Sequence, residues 1–480
     1  MQRVASLVFA VVVLATTAAI AQETVDIGSR RELFVDRTLI EELRGVTLKL
    51  HEPRPADVAI AFDASWEGRY CGYVTVFQDG DVYRMYYRGL PQAGKDGSAA
   101  EVTCYAESRD GIDWAKPELG LFEVDGDEDN NVVLADQAPF SHNFAPFIDT
   151  RPGVAADERY KALAGTSHTG LHVFVSNDGL RWRKWREDPI ITQGAFDSQN
   201  VAFWSEHEGC YVCYYRTWSE GEFAGYRSVS RVTSPDFVNW TAPIEMDYGG
   251  TPREHLYTNQ THPYFRAPHL YVALAARFMP GRRIVSDEEA AAFGVEATYS
   301  GDCSDGVLMT SRGGARYDRT FMEGFIRPGV GPEIWTSRTN YPAWGIVPTG
   351  EHEMSLFVQH QYGQPTHHLV RYVLRTDGFA SVNAPYAGGE CVTKPLLFAG
   401  KELVLNFATS AAGDVRVEIQ RPDGAPIAGY AIEDSATLIG NFIERAVSWG
   451  GSTDVSGLAG SPVRLRFVMK DADIFALRFR

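Results

Sequence analysis

Short apolar runs that alternate with polar positions recur along most of the chain and predict paired β-strands. Polar turns such as Gln78-Asp79-Gly80-Asp81 join the two members of a pair. Helical periodicity is confined to one short predicted helix at 288–293, behind the capping residue Ser286. The pattern therefore predicts an all-β protein, with strand pairs at 73–77 and 82–87, 143–149 and 160–164, 201–204 and 211–215, 264–265 and 270–275, and 344–347 and 354–359.

A short polar signature follows the third strand of these units. Its clearest copies are 108–114, 176–182 and 234–240, and fainter ones occur at 311–317 and 376–379. In such a Ser-x-Asp turn the polar side chains cap backbone N–H groups, Gly supplies a positive φ, and Trp packs back between sheets. Repeats of this kind are typical of a propeller, so five units predict a five-bladed β-propeller over residues 22–380. The signature itself is structural.

The character of the chain changes after Phe379. Short alternating strands at 403–407, 415–419, 446–449 and 463–468 are separated by Gly and Pro turns. This spacing predicts a β-sandwich over residues 381–480.

The N-terminal segment and the net charge bear on location and on partners. Residues 1–21 carry Arg3, an apolar stretch and an Ala19-Ile20-Ala21 ending, which predicts a cleaved signal peptide and a secreted or periplasmic protein. A formal net charge of -17 argues against nucleic-acid and membrane partners, while neutral substrates are compatible with it. Oligomeric state is not determined by these features.

Six cysteines in an exported chain leave disulfides open as an expectation. Cys210 and Cys213 form a CxxC pattern, but it lies in a predicted strand, where positions three apart face opposite sides. A metal or redox site there is disfavoured, and no metal or cofactor is predicted.

Several segments resemble glycoside hydrolase family 32, the fructan-cleaving invertase and levanase group. They are the turn 234–240 and the C-terminal stretches 377–381, 393–396, 415–419 and 465–467. The resemblance implies a five-bladed propeller with a C-terminal sandwich and cleavage of glycosidic bonds by carboxylates. The catalytic motifs of that family do not stand intact here. Only Asp197, in the segment 196–204, is carried over as a transition-state stabiliser, which indicates a divergent relative in the manner of families 32 and 43.

Propeller sites lie at the axis, so candidate residues are those just before the innermost strand of each blade. The predicted catalytic carboxylates are Asp197, Glu254 and Glu67, which would protonate the leaving oxygen and activate water or attack the sugar. The alternatives are an Asx turn for Asp197, an ion pair with Arg253 for Glu254, and a surface turn for Glu67. The predicted substrate-binding side chains are His142, Asn143, Gln199, Asn200, His262, Arg338 and Asn340.

Asp302 and Asp305 form a second carboxylate pair, with a turn or a calcium site as the alternatives. The predicted function is an exported glycoside hydrolase acting on an oligo- or polysaccharide with a carboxylate pair at the propeller axis. A non-catalytic carbohydrate-binding propeller is the main alternative, and a protein-binding scaffold is a third.

Overall fold

A computed structural model describes residues 23–221 and 223–480, so the predicted signal peptide at 1–21 lies outside the described residues. The chain begins with four short strands, β1 (Val25–Gly28), β2 (Glu32–Leu33), β3 (Ile40–Arg44) and β4 (Thr47–Leu50). A fifth strand, β5 (Arg54–Ala61), follows and leads into the first blade.

Five antiparallel sheets form a five-bladed β-propeller, as predicted. Blade 1 contains β6 (Gly72–Asp79), β7 (Val82–Gly89), β8 (Val102–Ser108), β9 (Trp114–Ala115) and β10 (Val132–Leu134). Blade 2 contains β11 (Ala145–Ile148), β12 (Tyr160–Thr166), β13 (Gly170–Ser176) and β14 (Arg183–Lys184). Blade 3 contains β15 (Val201–Ser205), β16 (Cys210–Trp218), β17 (Arg227–Ser234) and β18 (Ile244–Glu245).

The last two blades depart from a simple meander. Blade 4 contains β19 (His255–Thr258), β20 (His262–Tyr264), β21 (Ala267–Met279) and β22 (Cys303–Ser311). The helix α1 (Asp287–Ala292) lies between β21 and β22 and has the predicted Ser286 cap, whose side chain accepts from the Glu289 N–H. Blade 5 contains β23 (Val347–Pro348), β24 (Glu353–His360) and β25 (His368–Arg375), and β5 pairs with β25 as its outer strand. The propeller is thus closed by a strand from the start of the chain.

The remaining strands form the β-sandwich that the sequence predicts, but its membership is wider than residues 381–480. They are β26 (Ala380–Ala384), β27 (Gly389–Thr393), β28 (Leu396–Phe398), β29 (Leu403–Gln420), β30 (Asn441–Ala446) and β31 (Arg464–Phe479). β1 to β4 pair with β28, β31, β27 and β26 respectively. The assignment of all residues from 22 to 380 to the propeller therefore needs correction: residues 25–50 belong with the sandwich, because their backbone groups are paired there.

Short 3-10 turns complete the fold, at Phe140–His142, Ala156–Glu158, Ala297–Tyr299, Pro332–Ile334 and Ser456–Leu458. Within the described residues no helix is long and apolar enough to cross a membrane. All six cysteines are free.

The Ser-x-Asp turns lie between the third and fourth strands of blades 1 to 3. In blade 2, Ser176 Oγ accepts from the Gly179 N–H at 2.9 Å, and Asp178 Oδ1 accepts from the N–H of Leu180 at 2.8 Å. Gly179 has φ 77° and an added Cβ would stand 2.7 Å from the Tyr86 hydroxyl of blade 1. Glycine is required there because the turn docks against the preceding blade.

Candidate active site at the propeller axis

Amide side chains tie the innermost strands together around the axis. Gln199 donates to Thr75 Oγ1 at 2.7 Å and accepts from Gln260 Nε2 at 2.7 Å. Gln260 also donates to the Pro342 carbonyl at 3.0 Å. These buried bonds connect blades 1, 3, 4 and 5 and form the floor of an axial site. Gln199, predicted to bind substrate, holds blades together in the structure.

The chain enters the innermost strands through left-handed residues in four blades. Tyr73, Phe196 and Gln260 each have φ 51°, and Asn340 has φ 72°. A non-glycine residue in this region costs about 1–3 kcal/mol, and such residues cluster at ligand sites, where the surrounding packing holds the strained backbone. The repeated left-handed conformation makes this end of the axis the candidate position of a ligand site.

Asp197 lies at this end beside a buried guanidinium. Its Oδ2 is 2.8 Å from Arg216 Nη1, and the Asp197 side chain is 37% exposed while that of Arg216 is 1% exposed. Arg216 also donates to the Tyr257 carbonyl, and the Tyr73 hydroxyl donates to the Asp197 carbonyl at 3.2 Å. The ion pair leaves Asp197 oriented at the mouth of the axis, where a substrate has access to it.

Three arginines surround the ring of Tyr257. The guanidinium carbons of Arg216, Arg227 and Arg338 lie 4.1, 5.4 and 5.4 Å from its centroid. Burial acts to raise the pKa of Tyr257, but the charges of Arg338 and Arg216 outweigh it and hold the pKa below its ordinary value. The predicted residue Arg338 therefore lies in this group of arginines, around a tyrosine whose pKa is lowered by their charges.

Asp302 faces the same group of arginines from the start of β22. Burial raises the pKa of its carboxyl, and a hydrogen bond with Ser337 and the charges of Arg338 and Arg227 oppose that shift only in part. Asp305, its proposed partner, is instead held by Arg277 at 2.8 Å on a separate network. The surroundings of Asp302 thus shift the pKa of its carboxyl upward relative to an exposed aspartate.

His142 belongs to a neighbouring polar group that packs on Tyr73. Its Nδ1 is 2.9 Å from Glu101 Oε1 and 3.1 Å from Arg88 Nη1, and its ring meets the Tyr73 ring at 5.5 Å. Asp96, Glu101 and His142 have the donor types of a metal site. Arg88 Nη1 contacts all three residues. Its guanidinium therefore supplies the positive charge that a bound metal ion would otherwise bring to this group.

A cleft of about 410 Å³ opens at the end of β16. Trp218 and Phe223 line it, with ring centroids 6.0 Å apart, and Phe223 is 52% exposed. Arg227 packs on Trp218 at 4.7 Å, which connects the cleft to the site. Exposed aromatic rings beside a polar site provide a flat apolar face for a ligand.

Three predicted substrate-binding amides are buried and bonded to the protein backbone. Asn143 donates to the carbonyls of Gly165 at 2.8 Å and Phe196 at 2.6 Å, and its Oδ1 accepts from the Gly165 N–H at 3.0 Å. Asn340 donates to two carbonyls at 3.0 and 3.1 Å, and Asn200 donates to Phe196 at 3.5 Å. All groups of Asn143 are used by the fold, whereas the buried Oδ1 atoms of Asn200 and Asn340 have no hydrogen-bond partner among the described residues.

His262 is also buried, below the arginine cluster. Its Nδ1 is 2.9 Å from the Gln260 carbonyl, and its ring packs against Trp344. Burial lowers the pKa of His262 to about 4, so the imidazole is neutral near pH 7. Its contact with the Gln260 carbonyl places it beside the amide groups that join the blades.

The other two predicted catalytic carboxylates are engaged away from Asp197. Glu67 is fully buried and accepts hydrogen bonds from Tyr87 Oη at 2.5 Å and Lys116 Nζ at 2.6 Å. Glu254 bridges Arg277 at 2.8 Å and Arg319 at 2.6 Å. Both are members of ion-pair networks within blades, and neither contacts the axial group among the described residues.

Sequence reasoning missed Arg216, Arg227 and Tyr257, because it searched only the starts of the innermost strands. Arg216 lies in the second strand of blade 3 and Arg227 at the start of the third. One signal was present: Arg216 follows Tyr214 and Tyr215 in an otherwise buried strand, and arginine is seldom fully buried without a function or a partner.

A search of protein families returns no match for this chain. An uncharacterized protein of Mycobacterium tuberculosis, Rv1502, is 28% identical over 134 residues, which is 27% of this chain and 40% of that protein. The matched region therefore spans less than half the length of this relative.

Solved structures with a similar outline include three carbohydrate-associated proteins. BT0996, in a complex with RGII, is 14% identical, with a TM-score of 0.44, and the match covers 68% of this protein and 92% of BT0996. An N-acetylgalactosamine deacetylase from F. plautii, in complex with blood group B trisaccharide, is 12% identical, with a TM-score of 0.42 and coverages of 68% and 94%. A fructofuranosidase from Schwanniomyces occidentalis complexed with fructosylnystose is 11% identical, with a TM-score of 0.38 and coverages of 88% and 96%.

Proposed function

We propose that this protein is an exported glycoside hydrolase that cleaves glycosidic bonds of an oligo- or polysaccharide at the mouth of the propeller axis. The observation that carries the proposal is the presence of two differently placed carboxyl groups, Asp197 and Asp302, beside one cluster of arginines. Asp197 is ion-paired to Arg216 at 2.8 Å, while burial raises the pKa of Asp302. Glycosidases require two carboxyl groups with unlike environments, one to donate a proton and one to act as base or nucleophile.

Asp302 is assigned as the general acid because burial raises the pKa of its carboxyl, which is the direction that a proton donor requires. Asp197 is assigned as the base or nucleophile because it is partly exposed and positioned by Arg216. Tyr257 offers a second nucleophile, since the charges around it lower the pKa of its hydroxyl and some glycosidases attack through tyrosine. Trp218 and Phe223 would support sugar rings in the adjoining cleft.

The first test compares Asp302→Asn with the parent on a panel of oligosaccharides and aryl glycosides. Loss of a general acid lowers kcat/KM by about 10² to 10⁴ on a natural glycoside. The loss should shrink on an aryl glycoside with a good leaving group, because such a group departs without a proton. Asp305→Asn is the matched control, since Asp305 is bound to Arg277 and should leave turnover near the parent level.

The second test separates the two candidate nucleophiles. If Asp197 is the base or nucleophile, Asp197→Asn abolishes turnover with every leaving group, while Tyr257→Phe retains a measurable rate. The reverse pattern would assign attack to Tyr257. Binding of an oligosaccharide by the parent with no turnover in the panel would favour the carbohydrate-binding alternative.

A further inference from the structure

Two of the axial arginines lack an acidic partner. Arg216 is paired with Asp197 at 2.8 Å and Arg88 with Asp96 at 3.1 Å. Arg227 and Arg338, in contrast, have no carboxylate at ion-pair distance anywhere in the described part of the chain, although Asp302 lies within their electrostatic reach. The site therefore contains more positive charge than its own carboxylates neutralise at close range.

Aromatic rings hold these two guanidinium groups in place without neutralising them. Arg338 packs over Tyr257, Tyr299 and Tyr362 at 5.4, 5.1 and 5.7 Å. Its one side-chain hydrogen bond among the described residues goes to the Tyr362 hydroxyl at 3.3 Å. A ring face contacts the flat side of a guanidinium, so the N–H groups at its edge remain free to bind an anion.

Arg227 is held in a similar way by three rings. It packs over Trp218 at 4.7 Å, Phe278 at 4.8 Å and Tyr257 at 5.4 Å. Its Nε is buried and makes no hydrogen bond within the described residues. Burial and the nearby charge of Arg216 lower the pKa of Arg227, so the folded protein holds this cation against an electrostatic cost.

A chain with a net charge of -17 has little general need for partly buried cations without acidic partners. Their shared position over Tyr257, between Asp302 and the aromatic cleft, indicates that the missing anion is supplied by a ligand. A planar carboxylate fits guanidinium N–H groups in a two-point arrangement.

We propose that the substrate is an acidic sugar, such as a uronic acid residue, whose carboxylate binds between Arg227 and Arg338 above the ring of Tyr257. This inference rests on the proposed function, which supplies the sugar substrate, and it deepens that function by naming the class of sugar. The two arginines act as substrate-binding residues, and their charge sets the preference for an anionic ring over a neutral one.

The test measures binding of uronic acid oligosaccharides to the parent by calorimetry, beside the same oligosaccharides after reduction of their carboxyl groups. The parent should bind the acidic form at least about tenfold more tightly, since a hydrogen bond to a charged group contributes about one to two orders of magnitude in affinity. Added salt should weaken binding of the acidic form and leave the reduced form nearly unaffected.

Arg227→Gln and Arg338→Gln should each lower affinity for the acidic oligosaccharide by about tenfold or more. Arg282→Gln, at an exposed arginine outside the aromatic group, is the matched control and should bind like the parent. Arg227→Gln should also unfold at the same temperature as the parent or a higher one, because it removes repulsion with Arg216. An arginine with a merely structural role would lose stability on substitution.

Equal binding of the acidic and reduced sugars, tighter binding of sulfated sugars than of uronic acids, or no binding by the parent of any member of the panel would overturn the proposal. Its failure is distinguishable from failure of the proposed function. Hydrolysis of neutral sugars that depends on Asp302 would retain the hydrolase and reject the acidic substrate. Tight uronic acid binding without hydrolysis would retain the anion site and reject the hydrolase.

Discussion

Replacing Glu67 by glutamine distinguishes a structural carboxylate from a catalytic one. The carboxylate accepts three hydrogen bonds, from the Ala64 N–H at 3.0 Å, the Tyr87 hydroxyl at 2.5 Å and Lys116 Nζ at 2.6 Å. Two of these donors share Oε2, so an amide NH2 at that position would face a lysine cation and a backbone N–H. The variant loses its negative charge as well as acceptors.

The expected cost follows from this geometry. Removing one partner of a buried ion pair costs about 3–5 kcal/mol. Lys116 keeps two other acceptors, the Ala61 carbonyl at 2.6 Å and Asp63 at 2.9 Å, so the lower end of the range applies. We therefore expect Glu67→Gln to lower the free energy of unfolding by about 3 kcal/mol, with kcat of the folded enzyme close to that of the parent.

Urea denaturation followed by tryptophan fluorescence measures the free energy of unfolding, and turnover is assayed at a temperature where both proteins are folded. Glu123→Gln is the matched control, because Glu123 is exposed and should change the free energy of unfolding by less than about 0.5 kcal/mol. A variant of Glu67 with parental stability and a hundredfold or greater loss of kcat would refute this reasoning and return Glu67 to the list of catalytic residues.

Three further predictions concern other polar groups. Asp302→Asn should match the parent in thermal stability at pH about 3.5 and exceed it near neutral pH. The reason is that a raised folded-state pKa stabilises the parent below the ordinary aspartate value of about 3.9, and this contribution is lost as pH rises through the folded-state value. A parent more stable than the variant near neutral pH would contradict this. Asn143→Leu should lower the free energy of unfolding by about 3 kcal/mol or more, measured in urea, since it leaves buried carbonyls unpaired. Asn177→Leu, at an exposed position, is its control. Equal stability of the two variants would exclude a stabilising role for the hydrogen bonds of Asn143. Glu254→Gln should reduce stability while kcat/KM stays within about threefold of the parent, since Glu254 joins Arg277 and Arg319 outside the axis. A loss of about 10² in kcat/KM with parental stability would return Glu254 to the candidate catalytic residues.

The strand pairs were accessible from the sequence because the interactions that specify them are local. The Ser176 turn bonds groups within five residues, and its glycine requirement is visible in the residue type. The position of Asp197 at the end of the axis was also accessible from the sequence, since a polar segment interrupts the apolar pattern just before an inner strand. Glu67 gave the same local pattern, yet its partner Lys116 lies 49 residues away, and no local pattern reports that contact.

The sequence by itself determined the all-β class, the five repeated units and the following sandwich, because alternation, turn chemistry and repeat spacing act over short stretches. Only the tertiary structure decided that residues 25–50 complete the sandwich and that Arg216, Arg227 and Arg338 meet around Tyr257. Net charge is a property of the whole chain, whereas the charge felt by a ligand depends on which side chains the fold brings within a few ångströms. A chain with a net charge of -17 thus folds into a propeller with three arginines grouped at one end of its axis.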